Sequence, residues 1–374
     1  VIMKVLITGA NGFVGKNLTA YLSERKDIEV LRFSRDDDLL SLPAVVGQAD
    51  IVFHLAGVNR PQDPSEFKTG NTDLTRLLSD AIIASGRKIP LVYSSSTQAE
   101  QDNAYGHSKL EAENILRVLA VDFGTPVYVF RLPNVFGKWA RPNYNSAVAT
   151  FCYNIARGLP IQINDPSAKI NLVYIDDVIR CFVSLIDDVK VQGFYVDVQP
   201  QYVISVGELS EKLHAFRDSR NTLVTEAVGT GLTRALYSTY LSYLPPERFT
   251  YEVPKYSDPR GVFVEMLKTP DSGQFSYFTA HPGITRGGHY HHSKTEKFLV
   301  IKGEACFRFR HIVSGEFYEL FTSGDKPEIV ETVPGWTHDV TNVGSDEMIV
   351  MLWANEIFDR ERPDTFAMAV GTEA

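Results

Sequence analysis

The sequence has little that would staple, anchor or polarise it. Its three cysteines, Cys152, Cys181 and Cys306, are an odd number at wide, irregular spacing with no C-x-x-C pair, which excludes a disulfide framework. The compartment expected for such a chain is the reducing cytosol. No apolar run approaches the roughly 18 residues of a membrane-spanning helix. The start, Val1-Ile2-Met3-Lys4, passes straight into an apolar strand, so no secretory leader is expected. Internal repeats and low-complexity tracts are missing. So is any block of one charge: 37 Lys and Arg against 46 Asp and Glu leave a formal charge of −9. Neither nucleic acid nor a membrane is therefore expected as a partner, and anionic ligands must be held locally, by backbone amides or single cations.

What is present is ordinary globular material, 44% hydrophobic and 22% charged, in a chain of 374 residues long enough for two or three domains. Short β-branched runs at 4–8, 29–34, 50–55, 91–94 and 127–132 alternate with helical spacing over 14–24, 73–84 and 108–122. That alternation predicts an α/β fold of Rossmann type, a doubly wound parallel sheet with ligands at the carboxyl ends of its strands. Residues 244–257, with Pro245-Pro246 and Pro254, read as a linker. Beyond them, 261–268, 274–280, 297–302, 305–311, 317–322 and 348–353 are short Val-, Ile-, Phe- and Tyr-rich runs without helical period. They predict an all-β sandwich or small barrel. The expected domains are thus 1–243 and 258–374. Six of the nine histidines, at 281, 289, 291, 292, 311 and 338, fall in the second.

The first strand runs into Gly9-Ala10-Asn11-Gly12-Phe13-Val14-Gly15 and then a helix. Glycines there permit a tight turn and close approach to a pyrophosphate, and the helix N-terminus offers unpaired N–H groups to the anion. Dinucleotide binding is the reading; an ordinary strand–helix turn is the plain alternative. Where NAD binders place an acidic residue on the ribose, the second strand has Arg32-Phe33-Ser34-Arg35. Cations at that place suit a 2′-phosphate, so the expected cofactor is NADPH, although a solvated Arg pair would look the same.

Ser94-Ser95-Ser96 ends a strand, and Tyr105 and Lys109 stand four apart, on one helical face. An ammonium beside a phenol favours phenolate and should lower the pKa of Tyr105 from about 10. Tyr105 then becomes a proton donor to a carbonyl receiving hydride, with a serine hydroxyl on the same oxygen.

The C-terminal half carries Gly283-x5-His289-x-His291-x4-Glu296-x6-Gly303 and, downstream, Pro334-Gly335-Trp336-Thr337-His338-x3-Asn342. In a strand His289 and His291 share a face. Glu296 and His338, from neighbouring strands, could close with them around one transition-metal ion, while His292 faces away. Any one of these histidines alone reads as a satisfied polar residue.

With these motifs stand His54-Leu55-Ala56-Gly57, Asn71, Arg131-Leu132-Pro133-Asn134-Val135-Phe136-Gly137 and Tyr174-Ile175-Asp176-Asp177-Val178, in order. Together they resemble the extended short-chain dehydrogenase/reductases that act on sugar nucleotides. The resemblance implies a Ser96/Tyr105/Lys109 triad, with Ser95 still open, and cofactor contacts from Leu55, Ala56 and Gly57 besides Gly9, Asn11, Gly12, Phe13, Gly15, Tyr105 and Lys109. Arg131 falls on the strand leading to the sugar pocket, or else in a core-edge ion pair. The histidine motifs resemble those of a cupin barrel, except that Val333 stands where the second motif has Pro. Asp258-Pro259-Arg260-Gly261 is similar to cupins that epimerise keto-deoxysugar nucleotides.

The two halves in this order resemble bifunctional capsule and O-antigen enzymes in which a zinc cupin inverts C3 of a UDP-2-acetamido-2,6-dideoxy-4-keto-hexose. An NADPH-dependent reductase then reduces C4 to a UDP-2-acetamido-2,6-dideoxy-L-talose. Zn²⁺ on His289, His291, Glu296 and His338, a UDP-sugar substrate and a homodimer paired through helices 73–84 and 108–122 follow as expectations of that resemblance. Two rivals are a dTDP-4-keto-6-deoxyhexose epimerase–reductase, whose cupin normally lacks metal ligands, and a non-catalytic NADP or sugar sensor. The epimerase base is not readable from the residues.

Overall fold

The computed structural model describes residues 2–187, 193–254, 256–258, 261–263, 266–267, 269, 273–356 and 361–372. Strands and helices alternate through the first two thirds: β1 (Met3–Thr8), α1 (Phe13–Ser23), β2 (Ile28–Phe33), α2 (Leu42–Gln48), β3 (Ile51–His54), α3 (Ser65–Phe67), α4 (Leu74–Ala84), β4 (Leu91–Ser96), α5 (Ala104–Phe123), β5 (Val127–Leu132), β6 (Asn134–Phe136), α6 (Ala147–Ala156), β7 (Lys169–Tyr174), α7 (Ile175–Asp187), β8 (Tyr202–Ser205), α8 (Val206–Thr222) and α9 (Gly231–Ser242). A short 3-10 turn, Pro246–Arg248, and then strands follow: β9 (Thr250–Glu252), β10 (Tyr256–Asp258), β11 (Gly261–Phe263), β12 (Gln274–Ala280), β13 (Thr285–Tyr290), β14 (Glu296–Lys302), β15 (Glu304–His311), β16 (Phe317–Ser323), β17 (Glu328–Glu331), β18 (Trp336–Asn342), β19 (Met348–Ala354) and β20 (Phe366–Ala367). Two compact units result, Val1–Ser146 with Ile170–Val203, and Ala147–Lys169 with Ile204–Ala374.

In the first unit the sheet runs β2-β1-β3-β4-β5, all parallel. Strands β3, β4 and β5 and most of β1 are buried because their runs are apolar on both faces, as a helix-covered parallel sheet requires, while the edge strand β2 is partly exposed. Leu6, Val52, Leu91 and Val129 pack with Leu78 and Ile82 of α4 and with Ala112, Leu116 and Leu119 of α5. The strand order reverses between β1 and β3. That switch point opens a crevice at the carboxyl ends of those two strands, where ligands of such sheets bind.

The second unit holds two antiparallel five-stranded sheets, β12-β19-β14-β17-β9 and β16-β15-β18-β13-β20. Several of these strands are not evident in the sequence. β13 is not among the expected runs, and it carries a bulge between Gly287 and His289. Residues 250–252 of the expected linker pair with β17 as an edge strand. Of the expected strand 261–268, residues 264, 265 and 268 lie outside the described residues, as do Pro259 and Arg260. Helices α6, α8 and α9 belong to the same compact unit as the C-terminal strands. Among the described residues no helix is long and apolar enough to cross a membrane.

A buried charge network ties α8 to the first of these sheets. Glu331 on β17 accepts from Lys297 Nζ of β14 and from Arg220 Nη2 of α8, the latter at 2.5 Å. Lys297 also donates to the Tyr251 hydroxyl at 3.2 Å, and the Arg220 guanidinium lies 4.8 Å from the centre of the same ring. Burial pushes Glu331 up, but the two cations outweigh it and hold the carboxyl below its ordinary value. Removing that one charge leaves two buried cations facing each other. Glu331→Gln is expected to destabilise the protein by about 3–5 kcal/mol, the range for a buried pair that loses one partner. Urea unfolding of the two proteins side by side measures it, and an unchanged midpoint would refute the network's role.

Candidate active site and metal centre

The glycine turn is built by backbone crowding at the end of β1. Gly9 has φ +72°, and a Cβ there would stand 2.6 Å from the amide nitrogen of Ala56. A Cβ on Gly15 would stand 2.2 Å from the carbonyl oxygen of Gly9. Gly12 donates its N–H to Gly9 O at 3.0 Å and starts α1 with no side-chain cap and no acid in the first turn. The first-turn amides of α1 are therefore open to an anion. Arg32 and Arg35 are exposed at the carboxyl end of β2, Asn11 lies in the turn itself and Phe13 opens α1.

Behind the turn runs a buried chain of hydrogen bonds. Thr75 gives its hydroxyl proton to Asn71 O at 2.6 Å, so at 2.8 Å it must accept from His54 Nε2. His54 Nδ1 then accepts from the Thr8 hydroxyl at 2.7 Å, and Thr8 in turn accepts from the amides of Leu55 and Ala56. Burial pushes His54 down to about 3, so it stays neutral and serves as a strut between β1, β3 and α4. Asn71 sits in a π-helical turn, Lys68–Asp73, and its amide pairs with both backbone groups of Val58 and donates to Ser108 Oγ at 3.0 Å. The residue stands out in the sequence only by its place before a helix.

Asn103 caps α5 by accepting from Gly106 N at 2.8 Å, which sets Tyr105 in the first turn. A side chain at 106 would meet Gln98 O at 2.3 Å, so glycine follows Tyr105 by necessity. The Ser96 side chain neighbours the Tyr105 phenol and favours its ionised form. Ser95 instead donates to the buried Glu113 Oε1 at 2.5 Å. Lys109 Nζ donates to Ser94 O at 3.1 Å and stands 5.9 Å from the centre of the Tyr105 ring. A Cβ on Gly57 would stand 3.2 Å from that ammonium.

One expectation is corrected here. The Tyr105 phenol is held above its ordinary value, not below, because burial outweighs the effect of the Ser96 side chain. Burial also pushes Lys109 itself down to about 8. Arg131 is in the core-edge ion pair: it lies bidentate on the fully buried Glu113, at 2.6 Å by Nη2, and reaches Glu100. Glu113, inside a helix with no motif around it, gave no signal of its own.

The second unit gathers His289, His291, Glu296 and His338 with their ligand atoms all within 4.8 Å of one another. His289 stands directly across the ladder from His338, after a bulge at Gly287 that re-aims the strand. A Cβ on Gly287, where φ is +102°, would stand 2.9 Å from His338 O. His338 follows a tight turn in which Trp336 N donates to Val333 O at 3.0 Å with Gly335 at φ +81°. Val333 in place of Pro thus leaves that turn intact. Glu296 opens β14, in the other sheet. His292 packs against Tyr290 and Phe366, outside the group.

The donor set fits a divalent transition metal. His291 donates Nδ1–H to Asp364 O at 2.5 Å, which turns its Nε2 to the cluster, 3.2 Å from Glu296 Oε2. His338 Nε2 lies 3.5 Å from the same oxygen, an ion-pair distance, and this buried nitrogen has no hydrogen-bond partner. Burial and its histidine neighbours push His289 down to about 3, and burial also lowers His338, so both offer neutral imidazole lone pairs. Burial pushes Glu296 up, but His291 and His338 outweigh it and keep the group a carboxylate. Three imidazoles and one carboxylate are a metal-binding set.

A glycine-walled turn at the switch point of a parallel sheet, with a Ser, Tyr and Lys beside it, defines a Rossmann-type nucleotide-binding unit, here followed in the chain by an all-β part. The chain belongs to the NAD dependent epimerase/dehydratase family, whose profile matches residues 5–197. That membership implies a nicotinamide cofactor. Residues 256–366 match the polysaccharide biosynthesis C-terminal domain. Over its whole length the chain is 66% identical to a UDP-2-acetamido-2,6-beta-L-arabino-hexul-4-ose reductase of Pseudomonas aeruginosa, covering 100% of both chains. Its fold is similar to that of the capsular polysaccharide assembling protein CapF of Staphylococcus aureus, at 42% identity and TM-score 0.68, over 98% of this chain and 100% of that one. A UDP-glucuronic acid 4-epimerase of Bacillus cereus shares the fold over 57% of this chain and 84% of its own, at 21% identity and TM-score 0.51.

The Gly15 contact yields a direct test. Gly15→Ala must displace the Gly9 carbonyl, an overpacking cost of about 1–3 kcal/mol. Weaker dinucleotide binding, by roughly ten- to a hundredfold in a fluorescence titration, is the expected result; parent affinity would mean the turn does not form the cofactor cradle.

Proposed function

We propose that the chain is a bifunctional sugar-nucleotide enzyme. In this reading the C-terminal strands act as a cupin that inverts C3 of a UDP-2-acetamido-2,6-dideoxy-4-keto-hexose. The first unit then reduces C4, giving a UDP-2-acetamido-2,6-dideoxy-L-talose for capsule or O-antigen synthesis. The observation that carries it is the presence, in one chain, of two separate constellations: Ser96, Tyr105 and Lys109 beside the glycine turn, and His289, His291, Glu296 and His338 in the second unit. The 66% identity to a UDP-sugar hexul-4-ose reductase supports the substrate class.

NADPH supplies the hydride, and Zn²⁺ in the histidine cluster supplies Lewis-acid polarisation of a sugar oxygen. The residues do the rest. Gly9, Asn11, Gly12, Phe13 and Gly15 hold the pyrophosphate, Leu55, Ala56 and Gly57 line the crevice, and Arg32 and Arg35 favour a 2′-phosphate. Tyr105 gives its phenolic proton to the C4 oxygen as hydride arrives. A phenol kept neutral by burial still holds the proton it must give. The Ser96 hydroxyl hydrogen-bonds the same carbonyl oxygen. Lys109, tied to Ser94 O, stands by to restore the proton. At C3 the adjacent ketone makes the C–H acidic; its removal gives an enolate, and reprotonation from the other face inverts the carbon. Reduction of C4 then traps the labile ketone as an alcohol. Exposed apolar residues along α5, among them Leu110, Val118 and Val121, support a homodimer paired through α4 and α5.

The deciding experiment is NMR of the product formed from a 4-keto UDP sugar in D₂O with NADPH. The expected product is inverted at C3, carries deuterium there, and is reduced at C4. Loss of the general acid in Tyr105→Phe should lower turnover by about 10²–10⁴-fold while NADPH still binds. Near-normal turnover would exclude Tyr105. His338→Ala should lose metal and deuterium entry at C3, yet still oxidise NADPH with a substrate already inverted. Exchange at the parent rate without metal would show the cluster to be non-catalytic.

A further inference from the structure

We infer that Asp364 is a positioning residue of the metal centre, clamping the loop 291–296 that carries two of its four ligands. The inference rests on reading the histidine cluster as a metal site.

Between His291 and Glu296 the chain must turn from one sheet to the other, and three successive amides there have no ladder partner. Asp364 takes all three. Its Oδ1 accepts from His292 N at 2.8 Å, and its Oδ2 accepts from Ser293 N and Lys294 N, both at 2.7 Å. The Ser293 hydroxyl donates to the same oxygen at 3.2 Å. The backbone carbonyl of Asp364 takes Nδ1–H of His291, so this one residue orients a ligand ring and the backbone leading to the next ligand. Hydrogen bonds to an ionised carboxylate are about twice as strong as neutral ones, and successive amides form a nest for such an anion.

Asp364 is itself held from the other flank of the cluster. Just after it, β20 pairs with β13, with Ala367 opposite His289 and Phe366 opposite Tyr290, and Met368 N donates to Gly288 O at 2.9 Å. The loop is gripped a second time by α9, where Ser238 Oγ donates to Ser293 O at 2.7 Å and Arg234 Nη2 to Ser293 Oγ at 2.6 Å. Without the carboxylate the three amides lose their acceptor, and the loop must be ordered by the metal at the moment of binding. Affinity then falls. Partners of this kind behind metal ligands are typically worth about 10–100-fold in affinity.

Asp364→Asn tests this in the full-length chain, because its amide sets two donors against the amides of Ser293 and Lys294. Zn²⁺ affinity is measured by competition with a chromophoric chelator, and ligand geometry by the visible absorption of Co²⁺ in the same site. The expected result is one Zn²⁺ per parent chain, a 10–100-fold weaker affinity in the variant, and a weakened, shifted Co²⁺ band. Parent affinity with a parent Co²⁺ spectrum in a variant folded by circular dichroism would overturn the inference. If the Asn variant does not fold, Asp364→Ser, which keeps one small acceptor, carries the same test with the same two outcomes. A parent chain that binds no Zn²⁺ or Co²⁺ would instead defeat the reading of the cluster as a metal site.

Discussion

At the carboxyl end of β1 the main chain of Gly9 passes so close to that of Ala56 that no side chain fits between them. Much of the first unit's chemistry hangs on this approach. It brings the turn into α1 against the end of β3, and Thr8 can then reach the amides of Leu55 and Ala56 and the ring of His54. Through His54 and Thr75 the same contact fixes Asn71, and Asn71 holds Ser108, one residue before Lys109. The second unit uses the same device at Gly287, where a bulge pressed against His338 O turns His289 towards its partner. In both places two backbones touch, and the lost side chain is what lets reactive groups converge.

Among the described residues, buried carboxylates meet two kinds of surroundings. Glu113 is met by Arg131, Ser95 and Tyr195, and Glu331 by Lys297 and Arg220. These carboxylates have nothing left to offer a ligand; they fix α5 to β5 and α8 to the sheet. Glu296 has different neighbours. Its Oε1 pairs with Lys294 Nζ at 3.1 Å, its Oε2 faces two imidazole nitrogens at 3.2 and 3.5 Å, and the farther of those nitrogens, His338 Nε2, has no hydrogen bond. A buried polar atom left unpaired costs about 1–3 kcal/mol, so its persistence here is an argument for a ligand in that position.

Much of this was legible in the residues. The alternation of apolar runs with helical spacing is enough for a parallel sheet, because each βα unit is a local pattern. Gly9, Gly12, Gly15, Tyr105, Lys109 and the four residues of the cluster announce themselves by type and spacing. What the pattern could not supply is whatever depends on distant chain segments. The pairing of β13 with β18, which sets His289 opposite His338, and the bulge after Gly287 show only once the partner strand is in place. That Ser95 is tied into the core depends on Glu113, in the next helix. The direction of the Tyr105 shift depends on how deeply the phenol is buried, which no spacing reveals. Asp364 stands some 70 residues beyond the loop it caps, in a stretch with no motif. Local chemistry can be read along the chain; desolvation and long-range partners exist only once it has closed on itself.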